Sequence, residues 1–308
     1  MRKVLKWLGI GLSGLVALAL VAGTVLYFVG RKKLGREYRP GPVVAAAADP
    51  AAAARGEHLA RILACTGCHG EGLGGKRFLD IPPMRLNAPN LTRGKGGVGA
   101  HYTAAQWDAA VRYGVKPSGR MVLPFMPYAM YNNLSDADAA AIAAYLSSLP
   151  PVHSDTIPPT KVRLPGYMMV ATMNLEKMRG DLDGPRRAAP PPAGTAEWGQ
   201  YFASSICVEC HGEKMQGGQH PAPDAPPGPG MAAAATWSRE QFARTLRTGV
   251  TPQGRKLDEW MPSQTAFRHL TDEEIAGLHL YIQRLYPPRS AAPAAAPAGQ
   301  AAGAPGSG

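Results

Sequence analysis

Apolar residues fall along this chain in two regimes. From Leu8 to Val29 the run LGIGLSGLVALALVAGTVLYFV holds 22 residues without a charge, about the length an α-helix needs to cross hydrocarbon. Beyond it, apolar positions recur in short blocks at helical spacing. Leu59, Ile62 and Leu63 form one block and Trp198, Tyr201, Phe202 and Ile206 another, each predicting an amphipathic helix. Two more helices are predicted at TAAQWDAAVRYG and SREQFARTLRTG, where Thr103 with Gln106 and Ser238 with Gln241 are capping-box pairs, and Gly114 and Gly249 are the stops. A third pair, SDADAAAIAAYLSSL at 135–149 and TDEEIAGLHLYIQRL at 271–285, opens on Ser135 to Asp138 and on Thr271 to Glu274. Ile142, Tyr145 and Leu149 in one, and Leu278, Tyr281 and Leu285 in the other, mark the buried stripe. No block shows convincing strand alternation, so the predicted fold class is all-α.

The blocks occur twice in the same order, which is an internal repeat. RGEHLA answers WGQYFA, and residues 103–127 align with 238–262 without a gap. Two folded units are therefore expected, at 51–150 and 195–288. Residues 1–37 form the apolar helix and its basic flank, and 38–50 a spacer leading into an alanine-rich helix start. The span 151–194, rich in Pro, Gly and charge, reads as a linker that packs partly on its neighbours. Residues 289–308 have too few large apolar groups to offset the entropy of ordering and are expected to be disordered.

All 4 cysteines lie in two copies of one pattern, CTGCHG at 65–70 and CVECHG at 207–212. C-x-x-C-H is the attachment signature of c-type haem: Cys65 and Cys68, or Cys207 and Cys210, would bond the two vinyl groups of one porphyrin, and His69 or His211 would reach its iron. The alternatives are a redox disulfide and half of a zinc site. A zinc site of four thiolates leaves both histidines unexplained, and a disulfide does not predict the methionine repeat that follows. The remaining histidines, His58, His101, His153, His220, His269 and His279, read as surface or packing residues.

An iron held by one histidine takes a sixth ligand unless that position is kept open for chemistry, and a methionine thioether raises the potential of an electron carrier. Among 12 methionines, Met126 and Met261 each lie twelve residues after the repeat glycine, follow the same G-V-x-P-x-G-R turn and precede a proline. Pro127 and Pro262 cannot continue a helix and would hold the loop that presents sulfur. Met84, Met121, Met130, Met215 and Met231 have no counterpart in the other unit, and Met215 follows its histidine too closely to reach the opposite haem face. Trp107, Tyr145, Phe242 and Tyr281 are candidates for apolar haem walls.

These residues resemble the class I cytochrome c family, and the arrangement looks like the membrane-anchored di-haem cytochromes c of bacterial periplasms. The resemblance rests on CTGCH with FMP, and on CVECH with WMP, each unit ending in a capped helix. APNLT at 88–92 is similar to a stretch in cytochrome subunits of periplasmic sugar and alcohol dehydrogenases, whereas the second unit has PAPDAPPGPG there. The resemblance implies two tandem class I cytochrome c domains behind one transmembrane helix, with two covalently bound haem c. It also implies single-electron transfer between a periplasmic dehydrogenase or other donor and a terminal oxidase or small cytochrome. Each iron would lie between histidine and methionine, with no catalytic residue. The rival enzyme reading is a di-haem peroxidase, which needs one open iron and an acid–base residue above it.

Charge places the chain without changing its chemistry. Of the net +11, +6 lies in residues 1–50, and neither unit carries a basic stripe with interleaved aromatics, which argues against nucleic-acid binding. The apolar helix is expected to stay as a single-pass inner-membrane anchor. A signal peptide cut after Ala17-Leu18-Ala19 would leave LVAGTVLYFVG exposed. Basic residues flank both its ends, and counted alone they favour the opposite orientation. Haem attachment requires the two units outside the cytoplasm and decides for the periplasm.

Overall fold

The computed structural model describes residues 2–44, 49–154, 157–179, 182, 186–219 and 225–287. Its first helix, α1 (Arg2–Gly35), is long and apolar enough to cross a membrane. The first unit follows with α2 (Pro50–Ile62), α3 (Cys65–His69), strands β1 (Lys76–Ile81) and β2 (Met84–Ala88), α4 (Ala104–Tyr113), α5 (Tyr128–Tyr131) and α6 (Asp136–Ser148). The connecting span contributes β3 (Lys161–Val162), α7 (Leu164–Thr172) and α8 (Leu175–Arg179). The second unit comprises α9 (Ala196–Phe202), α10 (Val208–His211), α11 (Ala232–Ala235), α12 (Arg239–Thr248) and α13 (Asp272–Leu285). The predicted tail at 289–308 lies outside the described residues.

Local chemistry explains the helix limits. Thr103, Ser238 and Thr271 form reciprocal capping boxes with Gln106, Gln241 and Glu274, while Ser135 accepts from the Asp138 amide. Each such cap satisfies amides that the first helical turn would leave orphaned. Gly114 and Gly249 end α4 and α12 at φ of 61° and 70°, a left-handed conformation that glycine adopts without Cβ strain.

In each unit the first helix crosses the last: α2 packs on α6, and α9 on α13. The crossings are close because Gly56 and Gly199 sit at them. A Cβ on Gly56 would lie 2.5 Å from the Ala141 carbonyl carbon, and one on Gly199 2.7 Å from that of Gly277.

The structure adds a small antiparallel sheet, ordered β1-β2-β3, to this mainly helical fold. β1 is exposed along nearly its whole length, and β2 buries only Met84 and Leu86, so neither strand carries a long alternating signature. Described residues of the connecting span also form elements that pack on their neighbours. β3 closes the sheet, Val170 of α7 and Leu175 of α8 enter an apolar cluster with Tyr113, Val115, Met121 and Tyr128, and Leu34 and Tyr38 at the exit of α1 pack on it. The nine-residue α7 is too short to have shown a period in the sequence.

The two units share one apolar core and a polar seam. The Tyr201 hydroxyl donates to Asp138 Oδ2 at 2.7 Å and accepts from the Ser135 amide at 3.0 Å, while Arg55 Nε reaches Asp138 Oδ1 at 2.6 Å. His58 Nε2 lies 2.8 Å from Glu274 Oε1, and Asn133 Nδ2 donates to the Ser204 carbonyl at 3.0 Å.

Candidate haem sites

Both C-x-x-C-H runs are helical turns delivered by the first helix of their unit. Ala64, at φ 60°, breaks α2 from α3, a left-handed residue costing about 1–2 kcal/mol. The second unit has no such break, since α9 continues through a π turn over Ala203–Cys207 into α10. The one-residue difference in spacing between the repeats thus has two local solutions. Both runs then stop at a glycine of nearly equal φ, 76° at Gly70 and 75° at Gly212.

His69 Nδ1 lies 2.9 Å from the Pro89 carbonyl oxygen, and His211 Nδ1 lies 2.7 Å from that of Pro229. A carbonyl can only accept, so Nδ1 carries the proton and Nε2 keeps the lone pair that a metal takes. Burial holds the His69 imidazole below its ordinary pKa, with the Pro89 carbonyl acting in the opposite sense. The surrounding backbone repeats as well. Gly75 and Gly217 amides donate to the histidine carbonyls at 2.8 Å, and Leu91 and Met231 amides to the Leu73 and Met215 carbonyls at 2.9 Å. Met215 is therefore the structural partner of Leu73, at φ 55° against 56°, and both side chains are buried core filling.

Pro89 and Pro229 were not recognised as site residues in the sequence. Their loops, APNLT and PPGPG, share no alignment, and the group they supply is a backbone carbonyl with no side-chain signature.

None of the four cysteines is in a disulfide. Burial pushes the Cys65 and Cys207 thiols up to about 12 and Cys210 up to about 11, and raises Cys68 too. A redox C-x-x-C pair works through a thiolate stabilised below the ordinary range, the reverse of this arrangement. Among the described residues no three His, Cys, Asp or Glu side chains gather as a structural zinc site requires.

The two methionine loops are built alike. Val122 and Leu257 amides donate to the Gly114 and Gly249 carbonyls at 2.7 Å. Lys116 and Thr251 amides donate to the Arg120 and Arg255 carbonyls at 2.9 Å, closing the same small turn. The Met126 and Met261 amides donate to the Leu123 and Asp258 carbonyls at 3.2 and 3.0 Å. Both methionines are half-buried against the core that also holds Cys65 and Cys207. Trp107 is in that core, stacked on Tyr102, and its indole N–H has no acceptor among the described residues. Such an orphan donor suits a missing acceptor, and a porphyrin carboxylate is one.

Of the other histidines, His58 joins the seam between units, His153 accepts from the Lys95 amide at 2.9 Å, and His279 stacks on Phe242. His220 lies outside the described residues.

These features fit haem c: paired thiols on one helical turn, a histidine with its metal-binding nitrogen free, and a matching sulfur loop. The cytochrome c family model matches residues 53–150 and 196–285. The chain belongs to the cytochrome c family. It carries two covalently bound haem c groups, one per matched unit.

Among its relatives, the fructose dehydrogenase cytochrome subunit of Gluconobacter japonicus is 26% identical over 84% of this chain and 57% of its own length. An alcohol dehydrogenase (quinone) cytochrome c subunit of Gluconacetobacter polyoxogenes is 27% identical over 65% of this chain and 44% of its own. A diheme cytochrome c-type protein of Cereibacter sphaeroides is 25% identical over 76% of this chain and 86% of its own. The chain thus spans about half the length of the two dehydrogenase subunits.

Proposed function

We propose that this chain is a membrane-anchored di-haem electron carrier of the periplasm, moving single electrons between a dehydrogenase and an oxidase or another carrier. Each bound haem supplies a reversible one-electron couple, and histidine–methionine ligation shifts it toward the ferrous state. His69 and His211, oriented by the Pro89 and Pro229 carbonyls, would hold one face of each iron, and Met126 and Met261 the other. Cys65, Cys68, Cys207 and Cys210 would hold the porphyrins. Trp107, Tyr145, Phe242 and Tyr281 would exclude water, which tunes the potential.

The observation that carries this reading is the match between the two methionine loops, hydrogen bond for hydrogen bond, in units whose sequences otherwise diverge. It supports a methionine on the second face of both irons, which would leave neither open to substrate, and so weighs against the di-haem peroxidase reading. The packing between units supports passage of electrons from one to the other. Helix α5, which follows Met126, rests on the turn that leads to Cys207. Glu209 of the second motif is near enough to Cys68 of the first to add to the rise of its pKa, behind burial. A dehydrogenase as donor is supported by the two relatives that are dehydrogenase subunits. An anchor retained in the mature protein is supported by the docking of the α1 exit, where Lys33 Nζ donates to the Ala171 and Met173 carbonyls at 2.5 and 2.9 Å.

Met126→Ala and Met261→Ala test the ligand assignment. Each should abolish one of two methionine-to-ferric-iron charge-transfer bands and lower the potential of one haem in a spectroelectrochemical titration. Two unchanged bands in both variants would refute it.

A further inference from the structure

The helix α7 packs along α1 near the end of its apolar run. Its sequence, LPGYMMVAT, has no charge, and three faces can be distinguished. One lies on α1: a Cβ on Gly30 would be 2.7 Å from the Tyr167 carbonyl carbon, the Tyr27 and Tyr167 rings meet edge-on at 5.3 Å, and Met168 Cε comes within 3.6 Å of a Cβ on Gly23. A second face buries Gly166 and Val170 against the first unit. The third presents Leu164, Pro165 and Met169, with Leu164 60% exposed and Met169 38% exposed.

Depth decides what covers that third face. The uncharged run of α1 ends at Val29, and Gly23 lies six residues earlier, about 9 Å along a helix axis. Met168 therefore reaches about as deep as the boundary between headgroups and acyl chains, where amphipathic surface helices lie. The tip of the β1–β2 hairpin is fastened beside it: the Arg163 amide donates to the Pro83 carbonyl at 3.0 Å, Arg163 pairs with Asp80 at 2.5 Å, and Ile81 is 37% exposed. Lys161 and Lys177 flank α7 in sequence, and Arg31 and Lys32 follow the uncharged run of α1; cations there suit anionic lipid headgroups.

We propose that Leu164, Pro165 and Met169 of α7, with Ile81 at the hairpin tip, form a second membrane contact, embedded at the interfacial level of the bilayer that α1 crosses. The proposal rests on the reading of α1 as a retained span. A single span can still tilt in the bilayer and carry the docked haem units with it. Two contacts fix their tilt and depth, and hold the first unit, whose Met126 loop shares a cluster with Val170, against the membrane.

The test uses the full haem-loaded chain in phosphatidylcholine vesicles containing phosphatidylglycerol. The native cysteines are consumed by thioethers, so Leu164→Cys, Met169→Cys and, as a reporter on α1, Leu18→Cys can each take an environment-sensitive fluorophore. Labels at 164 and 169 should emit at shorter wavelength than in water, and be quenched severalfold more by lipid nitroxides near the headgroup than by nitroxides near the chain end. The label at 18 should show the opposite preference. A deep label at 18 with water-exposed labels at 164 and 169 overturns the proposal and leaves the anchor intact. Labels at 164 and 169 that are shielded from water yet unquenched by lipid nitroxides also overturn it, because protein then covers the face. A water-exposed label at 18 overturns both readings.

Discussion

Replacing Gly56 with alanine tests whether the close crossing of α2 and α6 is what presents the first haem motif. The added Cβ would lie 2.5 Å from the Ala141 carbonyl carbon and 2.8 Å from Tyr145 Cβ. Carbon atoms pack at about 3.5–4.0 Å, so the helices must part by about 1 Å. Overpacking of this kind costs about 1–3 kcal/mol, and one obstacle here is backbone that cannot rotate away, which places the cost near the upper end. Alanine returns about 1 kcal/mol of helix propensity. The net loss is about 2 kcal/mol, or about 10 °C in Tm for a unit of this size. Gly199→Ala, with 2.7 Å to both the Gly277 carbonyl carbon and Tyr281 Cβ, should do the same to the second unit. Thermal unfolding of the haem-loaded chain, followed by haem absorbance and far-ultraviolet circular dichroism, reads both variants. Midpoints that stay level or rise would refute the reasoning, because propensity alone predicts a small gain.

Tyr201→Phe should strip the Ser135 amide of its acceptor and Asp138 of a donor, a loss of about 1–3 kcal/mol; faster hydrogen exchange around Ser135–Asp138 is the expected sign, and unchanged protection would contradict it. Burial, partly opposed by the Ala234 and Trp237 carbonyls, depresses the pKa of His279 below its ordinary 6.5. A folded-state value below the unfolded one means that the unfolded chain takes up the proton first. The stability of the second unit should therefore hold above pH 6.5 and decline as pH falls from there toward the folded-state value. His279→Gln should flatten that decline, and identical pH profiles of unfolding would contradict it.

Much of the fold and site was legible because it resides in side chains with local jobs. Thr103, Ser135, Ser238 and Thr271 cap where their sequences predict, and Gly114 and Gly249 stop helices in the left-handed conformation glycine favours. The two motifs pointed to haem c, which the family match bears out, and the matched offsets of Met126 and Met261 lie in loops that the structure builds alike.

What was not legible depends on backbone or on long-range contact. The Pro89 and Pro229 carbonyls orient the histidines, yet any residue type could supply such an oxygen. β1 is exposed on almost every side and shows no alternation to read. The seam of Arg55, Asp138 and Tyr201, and the pairing of His58 with Glu274, join residues far apart in the chain. Short length hid α7, whose apolar residues are divided between a face on α1, a buried face and an exposed one.

Near-infrared magnetic circular dichroism of the fully oxidised chain tests the central claim most directly. The account predicts two six-coordinate low-spin ferric haems, both with the histidine–methionine charge-transfer signature. A five-coordinate high-spin centre at rest, or a signature of any other axial pair in either unit, would contradict it.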